Sequence, residues 1–229
     1  MGGYFVTGTD TGVGKTAIAC ALLHAFAQRG RRAVGMKPIA AGASDAAGSW
    51  RNEDVAALIA AGNVVPERSW INPYLFTLPV APHIAAREEG VTIDLDAVDR
   101  SYARLRVAAD IVIVEGVGGF LVPLTERDDT ADLAIRLGLP VILVVGMRLG
   151  CLNHTLLTAE AIAARGLKLA GWVANRIDPR MAKAAENVAA LRERLEAPLL
   201  GEVPFLSRPE AAQVAGALDF SLLDEPSAG

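Results

Sequence analysis

A glycine-rich segment near the start of the chain combines a lysine and a threonine that could bind phosphate. It reads GTDTGVGKT, from Gly8 to Thr16. Glycines let successive backbone N–H groups converge on phosphate oxygens, a lysine can neutralise the β- and γ-phosphates, and the next hydroxyl can ligate Mg²⁺. These roles fall to Lys15 and Thr16. Five residues separate Gly8 from Gly14, one more than usual, which also suits a tight strand-to-helix turn. The Gly-Lys-Thr ending favours the nucleotide site.

The residue five places before the loop lysine argues against one class of ATPase. Switch ATPases of the partition type carry a second lysine there, which reaches the phosphates of a dimer partner. Here the position holds Asp10, an acid that would repel phosphate unless its side chain points away. A dimerising switch ATPase therefore remains an alternative that lacks its defining residue.

Two acids are candidate Mg²⁺ ligands. Glu115 ends the β-branched run DIVIVE and is followed by Gly-Val-Gly-Gly. A carboxylate beside a triphosphate is costly unless a cation lies between them, so Mg²⁺ is its natural partner; a surface-turn glutamate is the alternative. Asp54, in NEDVAAL, could be a second ligand or an acid favoured by a helix dipole.

A second lysine is a candidate for stabilising charge during phosphoryl transfer. Lys37 ends the run AVGMK and precedes Pro38. Two cations near one phosphate are useful when charge builds up on the transferred oxygens. Position alone also allows a surface lysine whose stem covers apolar groups.

The elements that must position these residues alternate between short β-rich runs and helical patterns. Runs apolar on both faces are typical of parallel strands covered on both sides. The predicted strands are Tyr4–Gly8, Ala33–Pro38, Asp110–Gly116, Pro140–Gly146 and Leu169–Asn175. The predicted helices are Lys15–Arg29, Asn52–Ala61, Leu95–Ala108, Thr130–Leu137, Leu152–Arg165 and Arg180–Leu195.

This alternation predicts a doubly wound α/β fold of the P-loop NTPase type, with a mainly parallel sheet flanked by helices. We expect a single domain over residues 1–229, a loop over Ala40–Trp50 and a frayed tail over 224–229. In such sheets ligands bind beyond the carboxyl ends of the strands. The phosphate loop, Lys37 and Glu115 all lie at the carboxyl ends of predicted strands.

The amino-acid composition limits the classes of partner that the protein is expected to bind. The formal net charge of −4 gives no general attraction to nucleic acid or anionic lipid, which favours a small ligand. Cys20 and Cys151 match neither a zinc spacing nor a disulfide framework. The N-terminus resembles no signal peptide and no apolar run suits a bilayer span. The expectation is a cytoplasmic protein with no nucleic-acid or membrane partner.

Several motifs together resemble the dethiobiotin synthetase family. They are YFVTGTDTGVGKT, GMKPIAAG, NPY, APHIAA, VEGVGGFLVPL, LPVILVVGMRLGCLNHTLLT, LAGWVAN and APLLGEVPFL. The similarity covers Tyr4 to Leu206 and is weaker between Ser44 and Arg106. The elongated phosphate loop is the family's own form, and RLGCLNHTLLT is the most specific string.

The resemblance implies an ATP-dependent cyclo-ligase of biotin biosynthesis that uses MgATP. One amine of 7,8-diaminononanoate (7,8-diaminopelargonate) takes up CO₂ as a carbamate, whose oxygen attacks the γ-phosphorus. The second amine then attacks the carbamic-phosphoric anhydride and closes the ring of dethiobiotin, releasing phosphate beside ADP. The related amidating synthetases of corrinoid assembly need a glutaminase domain, and small-molecule kinases would leave phosphate on their product.

The resemblance also implies site residues. Lys37, Lys15 and Thr11 correspond to catalytic positions, and Thr16, Asp54 and Glu115 to the Mg²⁺ ligands. The nucleotide positions are Gly12, Val13, Gly14, Lys15, Thr16, Ala17, Asp54, Glu115, Gly116, Val117, Gly118, Asn175, Arg176, Pro204, Phe205, Leu206 and Glu210. Of these, Asn175 corresponds to the residue that reads adenine and Glu210 to a ribose contact.

The substrate positions implied by the resemblance come from two subunits. Thr11, Lys37, Ala41 and Gly118 contact the diamine, while Gly150, Cys151, Leu152 and Asn153 of a partner subunit hold its carboxylate. A homodimer is therefore implied. Cys151 and His154 could look like a catalytic pair, but phosphoryl transfer needs no thiol nucleophile. The family often has serine where this chain has Ala41, which removes one hydroxyl from the substrate site.

Overall fold

The computed structural model describes residues 2–46 and 49–223, and within them the chain alternates between strands and helices. In chain order the elements are β1 (Gly2–Gly8), α1 (Lys15–Gln28), β2 (Ala33–Met36), β3 (Ile39–Ala40), β4 (Ser44–Ala46), β5 (Ser49–Arg51), α2 (Glu53–Ala61), α3 (Arg68–Ile71), β6 (Tyr74–Leu75), α4 (Pro82–Glu88), α5 (Leu95–Ala108), β7 (Ile111–Glu115), α6 (Thr130–Leu137), β8 (Val141–Gly146), α7 (Cys151–Ala164), β9 (Leu169–Asn175), α8 (Ala184–Arg192), β10 (Leu199–Val203), α9 (Ala211–Ala215) and a 3₁₀ turn (Phe220–Leu222).

Six parallel strands form the central sheet in the order β10-β9-β8-β1-β7-β2. The chain passes from β1 outward to β2, returns through β7, and then continues on the other side of β1 through β8 to β10. This is the doubly wound α/β architecture that the alternating pattern predicts. The tail predicted over 224–229 lies outside the described residues.

Alternating side chains of the strands place helices on both faces of the sheet. Tyr4 and Val6 of β1 pack in one buried cluster with α1 and α9. Phe5, between them, points to the other face and joins a cluster that includes residues of α5 and α6. The strands are therefore buried on both sides, which explains why their sequences are almost continuously apolar.

All five predicted strands are present, but the sequence prediction missed the sixth strand of the central sheet. Strand β10 forms the edge of the sheet beside β9, and its register shifts between Leu199 and Gly201. Gly201 and the exposed Glu202 interrupt the apolar run, so the strand lacks the buried pattern of its neighbours. The sequence prediction also missed the short helices α3, α4 and α9. They contain four, seven and five residues, which are too few to show a helical periodicity.

Two of the secondary-structure predictions differ from the structure. The region predicted as a loop from Ala40 to Trp50 contains the antiparallel hairpin β4–β5, although residues 47 and 48 lie outside the described residues. The last predicted helix starts at Ala184 rather than Arg180, because Lys183 adopts a left-handed φ of 55° that ends the preceding turn. Within the described ranges no helix is both long and apolar enough to cross a bilayer.

The strand register brings the predicted polar residues to one edge of the sheet. Val6 of β1 lies beside Glu115, and Met36 of β2 lies beside Val114, so Lys37 follows level with Glu115. On the other side Gly8 pairs with Val144 of β8. The carboxyl ends of β1, β2 and β7 therefore meet at one place.

Candidate active site

The loop between β1 and α1 has the backbone geometry of an anion-binding turn. Gly12 and Gly14 have left-handed φ values of 74° and 93°, which glycine adopts without the cost other residues incur. Gly14 caps α1 with no side-chain hydrogen bond, so the first N–H groups of this helix are available to a ligand. A Cβ on Gly14 would lie 2.2 Å from Nδ2 of Asn175, so glycine is also required for close packing.

Lys15 lies inside this loop. Its Nζ donates a hydrogen bond to the backbone oxygen of Asp10 at 3.0 Å, and the residue is 6% exposed. Burial lowers the pKa of Lys15 to about 8, and the ammonium of Lys37 acts in the same direction. A desolvated cation with a positive neighbour is well suited to an anionic ligand.

The side chain of Asp10 is held by neighbours at the loop. Its Oδ1 accepts a hydrogen bond from the backbone N–H of Thr11 at 2.7 Å, and its Oδ2 forms an ion pair with the guanidinium of Arg148. Arg148 lies two residues beyond the end of β8. The negative charge of Asp10 is therefore compensated by an arginine from another loop.

Lys37 is buried among acceptors. Its Nζ lies 2.6 Å from Oε1 of Glu115, 3.1 Å from Oδ2 of Asp54 and 3.1 Å from the backbone oxygen of Gly116. Burial by itself lowers the pKa of Lys37, but the charges of Glu115 and Asp54 and the hydrogen bonds to them outweigh it and raise the pKa. The three acceptors match the three N–H donors of an ammonium.

Thr16 joins the same two carboxylates. Its Oγ1 lies 2.8 Å from Oδ1 of Asp54 and 2.9 Å from Oε1 of Glu115, and its single proton can be donated to one of them at a time. Burial would raise the pKa of Asp54, but the charge of Lys37 and the hydrogen bond from Thr16 hold it below its usual value. Asp54 lies in the first turn of α2, capped by Asn52, which agrees with the helix-dipole interpretation, and its role as a Mg²⁺ ligand stays a prediction.

The predicted Mg²⁺ ligands therefore lie together. Glu115 is 1% exposed, and its Oε2 is buried without a hydrogen-bond partner within the part of the chain that the structure describes. Such an oxygen is costly unless a cation or water reaches it. The described residues contain no cluster of three or more His, Cys, Asp or Glu suited to a metal. Mg²⁺ bound with substrate phosphates needs only one or two carboxylates, so the residues present fit it.

A cavity of about 670 Å³ opens beside these groups. The predicted residues that line it are Thr11, Gly12, Gly14, Lys15, Thr16, Lys37, Ala41, Asp54, Glu115, Val117 and Gly118. A Cβ on Gly118 would lie 3.7 Å from Oγ1 of Thr11, so these two positions face each other. Val13 and Gly116 lie beside the lining residues in sequence, and Ala17 lies in the first turn of α1.

An apolar part of the cavity lining was missed by the sequence prediction. It consists of residues 79–82, Pro-Val-Ala-Pro, together with Val122. The motifs APHIAA and FLVPL contain part of it, but a proline-rich turn has no property that indicates a binding wall. A lining that combines cations with apolar groups suits a ligand with a polar reacting end and an aliphatic body.

The predicted base-binding residues lie outside this cavity. Arg176, Pro204 and Phe205 line a separate cavity of about 400 Å³ next to β9 and β10. Asn175 ends β9, and its Nδ2 donates to the backbone oxygen of Val13 at 2.8 Å. Asn175 therefore connects the phosphate loop to the second cavity. Leu206 follows Phe205 in sequence. Glu210 is exposed and directly precedes α9.

The residues predicted to hold the substrate carboxylate start α7, away from the cavity lining of this subunit. Gly150, with a φ of 96°, caps this helix without a side-chain hydrogen bond, and Leu149 beside it is 97% exposed. Cys151 is buried, whereas Asn153 and His154 are exposed. The structure therefore does not join Cys151 and His154 into a buried reactive pair.

Comparison with known proteins identifies related sequences over nearly the whole chain. A family model described as an AAA domain matches residues 2–213. A protein of Aromatoleum aromaticum named ATP-dependent dethiobiotin synthetase BioD is 62% identical over 94% of this chain and 96% of its own length. A protein of the same name from Nitrosospira multiformis is 56% identical over 96% and 95% of the two chains.

Solved structures support the fold. The MinC:MinD cell division complex of Aquifex aeolicus has a chain that superposes with a TM-score of 0.58 at 14% identity, covering 95% of this chain and 92% of that one. MinD of the same organism gives a TM-score of 0.57 at 16% identity, with coverages of 95% and 88%. At such identities the likeness is one of fold only.

Proposed function

The chain belongs to the family of ATP-dependent dethiobiotin synthetases, and we propose that it makes dethiobiotin from 7,8-diaminononanoate, CO₂ and MgATP. The observation that carries this proposal is the convergence of Lys15, Lys37, Thr16, Asp54 and Glu115 beside one cavity that apolar residues also line. The cations suit the triphosphate and the carbamate, and the apolar residues suit the alkyl chain of the diamine.

The reaction that this arrangement supports proceeds through three nucleophilic steps. A substrate amine attacks CO₂ and loses a proton to give a carbamate. A carbamate oxygen then attacks the γ-phosphorus, and the bond to the ADP oxygen breaks. The second amine attacks the carbonyl carbon of the resulting anhydride, loses a proton and expels phosphate, which leaves a cyclic urea.

Residues of the chain have distinct parts in this sequence. Lys15 and the backbone N–H groups at the start of α1 hold the phosphates, while Lys37 stabilises charge on the carbamate and the transferred phosphoryl group. Thr11 and Gly118 face the same reacting centre. Thr16, Asp54 and Glu115 would hold Mg²⁺, which would supply charge neutralisation on the phosphates.

We assign the nucleotide base to the second cavity. Arg176, Pro204 and Phe205 line it, Leu206 follows them in sequence, and we assign a ribose contact to Glu210. Because the amide nitrogen of Asn175 is engaged by Val13, its Oδ1 is the atom suited to accept a hydrogen bond from the amino group of adenine.

We further propose a homodimer in which the start of α7 from a second copy completes the substrate site. A helix N-terminus without a side-chain cap suits a carboxylate, and Gly150, Cys151, Leu152 and Asn153 form this one. Leu149 beside this turn is 97% exposed, so a partner chain at this surface would bury its apolar side chain. We expect one domain and a cytoplasmic location, as for a biosynthetic ligase.

The alternative of a dimerising switch ATPase is not favoured. MinD-like structures share the fold at 14–16% identity, whereas the dethiobiotin synthetases share 56–62% of the sequence over nearly the full chain. Asp10 also stands where a switch ATPase needs its second lysine. The function is therefore assigned by sequence relationship and site chemistry together, not by fold.

The decisive experiment supplies purified protein with labelled bicarbonate, the diamine and MgATP. We expect an acid-stable labelled ureido product, formed with equal amounts of ADP and phosphate. Lys37→Ala should abolish turnover and largely spare ATP binding, whereas Lys183→Ala, a change at an exposed lysine paired with Glu186, should have no effect. Absence of the labelled product would refute the function, and an unchanged rate in Lys37→Ala would refute the role of Lys37.

A further inference from the structure

The phosphate loop contains a negative charge that its ligand should not tolerate. Asp10 lies between Gly8 and the loop glycines, five residues before Lys15. A carboxylate at such a place repels the phosphates of a nucleotide over several ångströms. The structure must therefore contain a feature that compensates this charge.

Arg148 provides the compensation. Its Nη2 forms an ion pair with Oδ2 of Asp10, while Oδ1 accepts a hydrogen bond from the N–H of Thr11 at 2.7 Å. The backbone oxygen of Asp10 in turn accepts a hydrogen bond from Nζ of Lys15 at 3.0 Å. One residue of the loop thus orients both Thr11 and Lys15, and its own side chain is oriented by Arg148.

Stability alone does not explain this ion pair. The side chains of Arg148 and Asp10 are 42% and 43% exposed, and pairs in such surroundings contribute little to folding because water screens them. Arg148 also belongs to the turn that starts α7, since its backbone oxygen accepts the N–H of Cys151 at 3.0 Å. The pair therefore joins two helix starts that both face anions in the proposed reaction.

We propose that Arg148 is a positioning residue for the nucleotide, acting through Asp10 and not on the phosphates themselves. It cancels the charge of Asp10 and keeps that carboxylate directed away from the phosphate cradle, which leaves Lys15 and Thr11 in place. This inference rests on the proposed function only in so far as the loop must bind MgATP. It adds a residue to the site that the motif itself does not contain.

The test is a double-mutant cycle read by MgATP binding. Arg148→Gln should weaken binding about fivefold, the size expected for one uncompensated charge acting through a partly aqueous medium. Arg148→Lys should retain most of the affinity. Asp10→Asn keeps an oxygen for the N–H of Thr11 but removes the charge, so Arg148→Gln should cost almost nothing in that background.

Calorimetry gives the affinities, and steady-state assays give the division between KM and kcat. We expect Arg148→Gln to raise the KM for ATP with kcat within about twofold of the wild-type value. A loss that persists in the Asp10→Asn background would overturn the proposal, because Arg148 would then act on the nucleotide directly. Wild-type affinity in Arg148→Gln would also overturn it. Failure of the wild-type protein to bind MgATP would refute the proposed function instead.

Discussion

Nζ of Lys37 lies 2.6 Å from Oε1 of Glu115, and both side chains are hidden from water, with exposures of 4% and 1%. The same ammonium lies 3.1 Å from Oδ2 of Asp54. The lysine thus forms ion pairs with both carboxylates that we assign to Mg²⁺ and compensates part of their charge. The proposed catalytic cation therefore also has a structural role before substrates bind.

Lys37→Met is expected to destabilise the nucleotide-free protein in EDTA. Removing one partner of a buried ion pair leaves an uncompensated charge and costs about 3–5 kcal/mol, here on Glu115. The free energy of unfolding from urea titrations measures this loss. Added Mg²⁺ should restore part of it, because the cation binds the same carboxylates only in the folded state.

The control for this prediction removes both charges. Lys37→Met combined with Glu115→Leu should be less destabilised than the sum of the single changes, since neither charge is then left alone. Lys183→Met, at an exposed lysine, should change the free energy of unfolding by less than about 0.5 kcal/mol. If the loss of unfolding free energy in the double variant equalled the sum of the two single losses, Lys37 and Glu115 would not be coupled.

Gly14→Ala should impair both folding and nucleotide binding more than backbone strain alone predicts. Alanine in a left-handed conformation costs about 1–2 kcal/mol, and here its Cβ would also lie 2.2 Å from Nδ2 of Asn175. Gly30 is a matched control because its φ of 76° is similar and nothing lies within 4 Å of the added carbon. Equal losses of unfolding free energy in the two variants would contradict a close approach at Asn175.

Binding of MgATP should take up a proton at alkaline pH. The pKa of Lys15 in the free protein is about 8, and adjacent phosphates would raise it, because they favour the ammonium. Lys15 is charged in both states at low pH, so uptake should be small at pH 7, near 0.5 proton at pH 8 and larger at pH 9. The affinity should consequently fall as the pH rises above 8.

Calorimetry in two buffers with different ionisation enthalpies measures this uptake. Lys15→Arg is the control, because arginine stays charged over the whole range and should remove the pH dependence of the proton count even if it binds less tightly. A proton count in the wild-type protein that stays constant from pH 7 to pH 9 would show that Lys15 does not titrate there.

The parts of the site that could be predicted from the sequence are those fixed by strand ends. Glu115 and Lys37 terminate apolar runs, and in a parallel sheet such ends converge at one edge, so their proximity follows from the pattern. Gly14 and Lys15 belong to a motif whose spacing reflects backbone geometry. Asp54 was uncertain on spacing, because a first-turn acid has the same signature whether or not it faces a metal.

Other features depend on contacts between distant segments and leave no local signal. Arg148 and Asp10 are far apart in sequence, and nothing near either residue indicates the other. The apolar wall at residues 79–82 comes from a turn whose prolines predict only a break in structure. Strand β10 was missed because an edge strand need not be apolar on both faces, as Glu202 illustrates.

Ala41→Ser should tighten the diamine without changing the chemical step. Ala41 lines the cavity beside Lys37, and its backbone oxygen is held by Nδ2 of Asn52 at 3.1 Å, so the position is fixed and an added hydroxyl would face the substrate. One hydrogen bond contributes about 1 kcal/mol, which corresponds to a KM for the diamine about fivefold lower. The KM for ATP and kcat should stay within about twofold, because the contact is equal in the ground and transition states. Ala56→Ser, at an exposed position of α2, is the matched control, and a KM for the diamine that is the same in both variants would place Ala41 outside the substrate site.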